Sequence, residues 1–320
     1  MLVYSTSMAA MTKVTVELPA DLLDKARKST GEGITGTIRR GLELVAAMRA
    51  QDELRALKDR DGVPLPDALR EHSVDLDGAL AARSQLANAA AYLELHIEQG
   101  PVLESMDLPL GVVLGTFGVE RSRFTWRGQA AHAGSTPMDK RRDALAGAAK
   151  LALYIREIAA TVGGGAVCTS GGVVTRPGIV TSVVETAEQL LDQRHLDADS
   201  LARMLQMAKD AADRFAAEEN IDVEWERIWS IEPILFDETL IGFADDAVRE
   251  VAGTSHKLPS GPLHDAAEVA RAGIPTVMLF VQSLRGLSHT KLEDTKKEHL
   301  ELSVQALDSL ASKTLAWLGA

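Results

Sequence analysis

One run restricts the fold of this chain more than any other. Residues 92–104 read YLELHIEQGPVLE. Apolar and polar positions alternate as far as Ile97, and then Gln99, Gly100 and Pro101 break the pattern. Such a run reads as a buried strand that delivers one imidazole, His96, to its end. Residues 276–281, TVMLFV, form a second apolar run of strand length. A continuous apolar strand is normally covered on both faces, so the two runs require helices around them, an α/β arrangement. An imidazole at a strand end suits Zn²⁺, and the question becomes where further ligands lie.

The 320 residues suffice for two or three domains, and an apolar fraction of 46% supports a packed core. A net charge of −12 argues against wrapping nucleic acid or coating an anionic membrane. That charge is uneven. Residues 12–60 hold ten Lys and Arg against eight Asp and Glu, near +2, which leaves the remainder near −14. A change of sign between segments suggests separate origins or separate partners. Cys168 is the only cysteine, so no internal disulfide forms and a cytoplasmic home is expected. No apolar run is long enough to span a bilayer. The opening MLVYSTSMAAM lacks the pattern of a secretion signal and reads as a loose leader, with Met11 available as a start.

Residues 13–18, KVTVEL, alternate as a strand, with Lys13, Thr15 and Glu17 on one side. A helix is expected over about 20–29, and a second opens at Thr35 with Ile38, Leu42, Val45 and Met48 at helical spacing. DGVPLPDAL reads as a loop and a short helix. Over 112–231 the order is strand, helix, strand, strand, helix, strand, that of a ferredoxin-like sandwich. The first of these strands bends near Gly118, and the first helix runs from Met138 to Ala159. A helix near 239–252, the strand 276–281 and a last helix over about 295–318 follow. His72, His195, His256 and His299 show no convergent partner and read as surface or loop residues.

The segment TKVTVELPADLLDKARKSTGEGITGTIRRGLELVAAMRAQDELRALK resembles ribbon-helix-helix antitoxins of the VapB type. The resemblance implies a dimeric strand pair in the DNA major groove, with Lys13, Thr15 and Glu17 toward the bases and a toxin held after Met48. DNA or a toxin is thus a candidate partner of residues 12–60. The plainer reading is an amphipathic hairpin packed on the main body. The outward strand offers one cation, whereas affinity for duplex rests on cationic phosphate contacts.

From residue 62 onward the strings YLELHIEQGPVLE, GQAAHAGSTPMDKRRDAL, DQRH, WERIWSIEP, PSGPLHDA and LSHTKLEDT occur in order. They resemble the amidase, hydantoinase and carbamoylase branch of the aminoacylase-like zinc hydrolases, which includes allantoate amidohydrolases and N-carbamoyl-L-amino acid hydrolases. The resemblance implies a truncated, mostly parallel aminopeptidase-like sheet over 62–111 and 232–320. An inserted ferredoxin-like α+β lid, the dimerisation domain, would span 112–231, and residues 1–60 form the ribbon-helix-helix-like segment. It implies that His96 and His289 are metal ligands, that the metal is Zn or else Mn or Ni, and that the chain is a homodimer through the lid. His132 would polarise the scissile carbonyl in the partner's site. Arg194 would clamp a substrate carboxylate, with His264 and Thr181 also lining the substrate pocket.

The same family draws another histidine, a bridging aspartate, a second carboxylate and a glutamate base from a region that should precede residue 62. Residues 1–71 contain no histidine, no His-x-Asp run and no paired EE before an apolar stretch. Thr181 stands where the family has asparagine, and Pro262 and Leu263 replace small residues before His264. Two imidazoles leave a zinc ion half coordinated. Three expectations follow. The chain is an impaired member of an amidohydrolase family, or a hydrolase of ureido and N-carbamoyl acids completed by another chain, or a DNA- or toxin-binding protein with a passive dimerising body.

Overall fold

The computed structural model describes residues 19–30, 33–38, 57–58, 62–75, 78 and 81–319. The chain divides into two compact units, 1–84 and 85–320. In the first, helix α1 spans Ala20–Thr30, close to the expected 20–29. Residues 34–38 are helical, with the Thr37 N–H donated to the Gly33 carbonyl at 2.9 Å. Gly33 therefore opens this helix, two residues before Thr35; glycine serves at such a cap without a side chain. Helix α2 is Leu65–Glu71, with Pro near its start, where a missing N–H costs nothing. The KVTVEL strand and the second helix beyond Ile38 lie outside the described residues.

The second unit contains two main sheets. The first has the order β1 (Tyr92–Ile97), β11 (Thr276–Val281), β2 (Leu110–Thr116), β10 (Lys257–Ser260), with β9 (Ile234–Leu235) against the end of β2. β1 and β11 run parallel, as do β2 and β10, but β11 and β2 are antiparallel. The sheet is mixed, where the sequence implied one mostly parallel. Every residue of β11 is buried, and burial on both faces is what an apolar run reports. It carries no information on strand direction. Helix α3 (Val102–Ser105) links β1 to β2. Helices α6 (Glu238–Ala252) and α8 (Lys297–Leu318) pack on this sheet with Leu240, Val248 and Leu310 in the core. The short α7 (Asp265–Arg271) packs on β1 and β11.

The second sheet has the order β5 (Val167–Arg176), β7 (Thr186–His195), β3 (Gly118–Arg127), β8 (Asp222–Ile231), all antiparallel. Helices α4 (Ala144–Val162) and α5 (Ala198–Glu219) pack on it. In chain order this is strand, helix, strand, strand, helix, strand, a split β-α-β sandwich. Its core is built on Trp126, Phe124, Leu151 and Met204. A two-residue ribbon pairs β4 (Ala131–His132) with β6 (Ser182–Val183).

The bend expected at Gly118 is the passage between the sheets. The chain leaves β2 at Thr116 and enters β3 at Gly118, and it returns through Pro233. A Cβ on Gly118 would lie 2.6 Å from the Pro233 ring, so only glycine lets the two connections cross this closely. Helix α4 starts six residues later than Met138. Met138–Lys140 form a single 3₁₀ turn, and Asp143 then caps the helix by accepting the Leu145 N–H at 3.0 Å.

Candidate functional site

His96 stands near the end of β1, opposite Phe280 of β11. Its Nδ1 lies 2.8 Å from the Ile97 carbonyl, which can only accept, so Nδ1 carries the hydrogen. The lone pair is then on Nε2, the form in which an imidazole binds a metal. Glu94 and Glu98 flank it. One oxygen of Glu94 accepts the Ala266 N–H in the first turn of α7 at 2.8 Å. Glu98 accepts the Val102 and Leu103 N–H groups at 2.7 and 2.9 Å and fixes α3.

His264 comes from the loop after β10 and meets His96 edge to face, with ring centroids 4.5 Å apart. Its side chain is only 3% exposed. Its Nε2 lies 2.9 Å from Ser260 Oγ, and that hydroxyl is donated to the Pro262 carbonyl at 2.9 Å. Ser260 therefore accepts from Nε2–H, and Nδ1 is left toward Glu94 at 3.7 Å. Burial, with the neighbouring His96 adding to it and Asp265 opposing, pushes His264 down to about 4. It is neutral at pH 7.

His289 is exposed in the loop before α8, at φ 58°, with its N–H donated to Glu293 at 3.0 Å. That loop is fastened to the end of β1 by Gln99. The Gln99 N–H bonds Ser283 Oγ at 3.0 Å, and its side chain donates to Ser288 Oγ at 2.9 Å. Arg194, at the end of β7, forms a forked pair with Asp192 at 2.7 and 3.3 Å. It also donates to the Gly261 carbonyl at 2.9 Å, joining the second sheet to the loop that carries His264. Burial raises the Asp192 carboxyl, but hydrogen bonds from Arg194 and Arg121 outweigh it and hold the group below the usual carboxylate range.

His132 and Thr181 share the small ribbon. The Thr181 carbonyl accepts the Ala133 N–H at 2.9 Å. Nδ1 of His132 accepts the Gly134 and Ser135 N–H groups at 3.1 and 3.2 Å, so Nε2 bears the hydrogen and points outward as a donor.

The structure thus brings His96 against His264, ties Arg194 to the loop of His264 and fastens the loop of His289 to the end of β1, and it holds His132 with Thr181 on a separate ribbon. Among the described residues no group of three or more His, Cys, Asp or Glu side chains could hold a metal ion. The donors present do not fit a complete Zn²⁺, Mn²⁺ or Ni²⁺ site, which needs at least three protein ligands for catalytic zinc. Beside these residues lies a largely apolar cavity of about 640 Å³, with Phe280, Pro262, Gln99 and Gly164 in its wall. His195, expected at the surface, is 6% exposed. Its Nδ1 accepts the Asp197 N–H at 2.9 Å and Nε2 meets the Gly163 carbonyl at 3.2 Å, so it ties the loop after α4 to the end of β7. The sequence did not single out Gln99, because its partners Ser283 and Ser288 lie far away in the chain; Ser260, whose partners Pro262 and His264 lie within four residues, was missed as well.

Known proteins extend this picture. The N-carbamoyl-L-amino acid amidohydrolase of Geobacillus stearothermophilus is 35% identical over 250 residues, 78% of this chain and 61% of that protein. The allantoate amidohydrolase of Escherichia coli is 30% identical over 277 residues, 87% of this chain and 66% of that protein. The crystal structure of an amidase of the hydantoinase/carbamoylase family from Burkholderia multivorans superposes with a TM-score of 0.70 at 30% identity, covering 82% of this chain and 62% of that one. The chain spans less than two thirds of the length of these relatives. The profile of peptidase family M20/M25/M40 matches residues 67–313, both sheets included. The chain belongs to peptidase family M20/M25/M40.

Proposed function

We propose that this chain carries the substrate-binding part and two metal ligands of a hydrolase that cleaves the C–N bond of N-carbamoyl or ureido acids, as the names of its relatives suggest. The observation that carries this reading is His96. Its tautomer is fixed with Nε2 free, it touches His264, and Gln99 binds it to the loop of His289. His96 and His289 are this chain's share of the metal ligands in a family that is generally metal-dependent. Arg194 is the anchor for a substrate carboxylate, which would displace the Gly261 carbonyl from its guanidinium. His132, with Nε2–H outward, donates to the developing oxyanion in the site of a second subunit, joined through residues 112–231.

Because the donors in the described residues fall short of a metal site, the 320 residues by themselves are expected to hydrolyse these substrates weakly or not at all. The test is metal analysis after dialysis against buffer with added zinc, manganese or nickel, with hydrolysis of allantoate and N-carbamoyl amino acids followed alongside. Less than one tightly held metal per chain, together with carboxylate binding that Arg194→Ala weakens at least tenfold, supports the reading. A stoichiometric metal with turnover from this chain alone refutes the incompleteness. Equal binding by the Arg194→Ala variant refutes the anchor.

A further inference from the structure

We propose that Arg121 is a positioning residue of the carboxylate anchor: held against the Trp229 ring, it shares Asp192 with Arg194 and keeps the Arg194 guanidinium positive toward a substrate. The inference rests on the reading of Arg194 as the anchor and adds a second arginine that itself touches no substrate.

The register of the second sheet puts Arg121 in this place. Along β3, Arg127, Thr125, Arg123 and Arg121 alternate onto one face. The neighbouring strand β8 supplies acids to the earlier arginines. Arg127 pairs with Glu224 at 3.3 Å, and Arg123 pairs with Glu226. The register then shifts between Ser122 and Arg121, so that Trp229 rather than Ile228 stands across from Arg121. One extra residue in a strand re-aims the side chains beyond it. Arg121 therefore meets an indole where Arg123 meets a carboxylate. Its guanidinium carbon lies 5.0 Å from the centroid of the Trp229 ring. The carboxylate of Arg121 comes from the other side, from β7. Asp192 stands directly opposite in that pairing and accepts the Arg121 Nε–H at 2.8 Å.

Arg194 follows Asp192 by two residues on β7 and so shares its face. Asp192 spans the Nε–Nη2 edge of Arg194 at 2.7 and 3.3 Å, and Nη1 holds the Gly261 carbonyl at 2.9 Å. The edge left for a substrate carboxylate is that of Nη1 and Nη2, once the carbonyl is displaced. Asp192 alone would cancel the charge of Arg194 and set a carboxylate close to the incoming anion. Arg121 reverses this. It binds the same Oδ2 that Nη2 binds, at 2.8 Å against 3.3 Å, so Asp192 is held more closely by Arg121 on that oxygen. Two guanidiniums on one carboxylate leave the trio positive. Asp192 and Arg194 are largely withdrawn from water, so that charge is less screened than one on open surface. The Trp229 ring keeps the Arg121 guanidinium from swinging away into solvent.

The probe is N-carbamoylglycine, titrated by calorimetry into the full 320-residue chain, with its uncharged amide as the control. Arg121 is 46% exposed, so its variants should keep the parent circular dichroism. Arg121→Gln is expected to weaken binding of the acid about threefold or more and to leave the amide unchanged. Arg121→Lys should restore the acid, because a charge and one donor suffice there. Trp229→Leu should weaken the acid in the same direction. Added sodium chloride should narrow the gap between the parent and Arg121→Gln, as a screened charge requires. Arg194→Ala separates this inference from the reading beneath it. If Arg194→Ala weakens the acid but Arg121→Gln does not, the anchor stands and the role of Arg121 falls. If Arg194→Ala changes nothing, or the parent binds the acid no better than the amide, the anchor falls and this inference with it. A loss in Arg121→Gln that lysine does not restore, or that salt leaves untouched, marks a merely structural residue and overturns the proposal. An unchanged Trp229→Leu overturns the part given to the indole.

Discussion

Glu94 and Glu98 sit two residues either side of His96, and each carboxylate is spent on a helix start. The first N–H groups of a helix have no partner within it, and a buried carboxylate satisfies two at once. Glu98 is 5% exposed and serves both Val102 and Leu103. Replacing it with alanine strands one buried donor and one part-buried donor, and Glu98→Ala should cost about 1–3 kcal/mol, read as a lower urea midpoint at constant slope. A shift under about 0.5 kcal/mol would show that water takes over both N–H groups. Asp192 gives a pH prediction. Its folded-state carboxyl titrates below its ordinary value, so the stability it contributes is present above about pH 4 and drains away as pH falls further. Asp192→Asn should therefore lose less stability than the parent between pH 5 and pH 2. Parallel acid limbs for the two proteins would contradict the assignment. That His96 stands near the end of a strand was legible from its run, but Arg194's partners, Asp192 and the Gly261 carbonyl, were legible only in part. Asp192 shares its strand, whereas Gly261 reaches it through the fold.

At the scale of elements, apolar spacing located the helices and local chemistry set their ends. The pattern from Met138 to Ala159 continues through good helix formers, yet α4 begins at Ala144, because the Asp143 side chain caps it and Pro137 precedes a separate turn. Apolar type alone does not mark its buried face, because Leu145 is exposed and Gly147 is buried. A Cβ at Gly147 would lie 2.7 Å from both Trp126 and Ile221. Alanine has the higher helix propensity by about 1 kcal/mol, but here the overlap decides. Gly147→Ala should lower the melting temperature, and a rise would show that Trp126 can move aside. Helix α5, Ala198–Glu219, is capped in the same way. Its cap, Asp197, accepts the Ser200 N–H at 2.8 Å. Asp197→Ala should cost about 1 kcal/mol, measured by urea unfolding.

At the scale of the molecule, two crossings hold the sheets together, Phe117–Gly118 outward and Glu232–Pro233 back. Gly118→Val would drive two methyl groups into Pro233 and should cost roughly 1–3 kcal/mol, with loss of amide protection in both β2 and β9. Protection lost in neither strand would mean that the crossing relaxes freely. The sequence by itself determined that residues 92–97 and 276–281 are strands, that His96 stands near the end of one, and the order of the elements over 118–231. Those follow from periodicity and from turn residues, which act over a few positions. The tertiary structure alone decided that the first sheet is mixed, that His195 is buried, that Glu94 of β1 lies beside His264, and that β1 is outermost among the described strands of its sheet. Each of these depends on which strand lies beside which. That is fixed by packing between residues far apart in the chain, to which an apolar pattern contributes only the fact of burial.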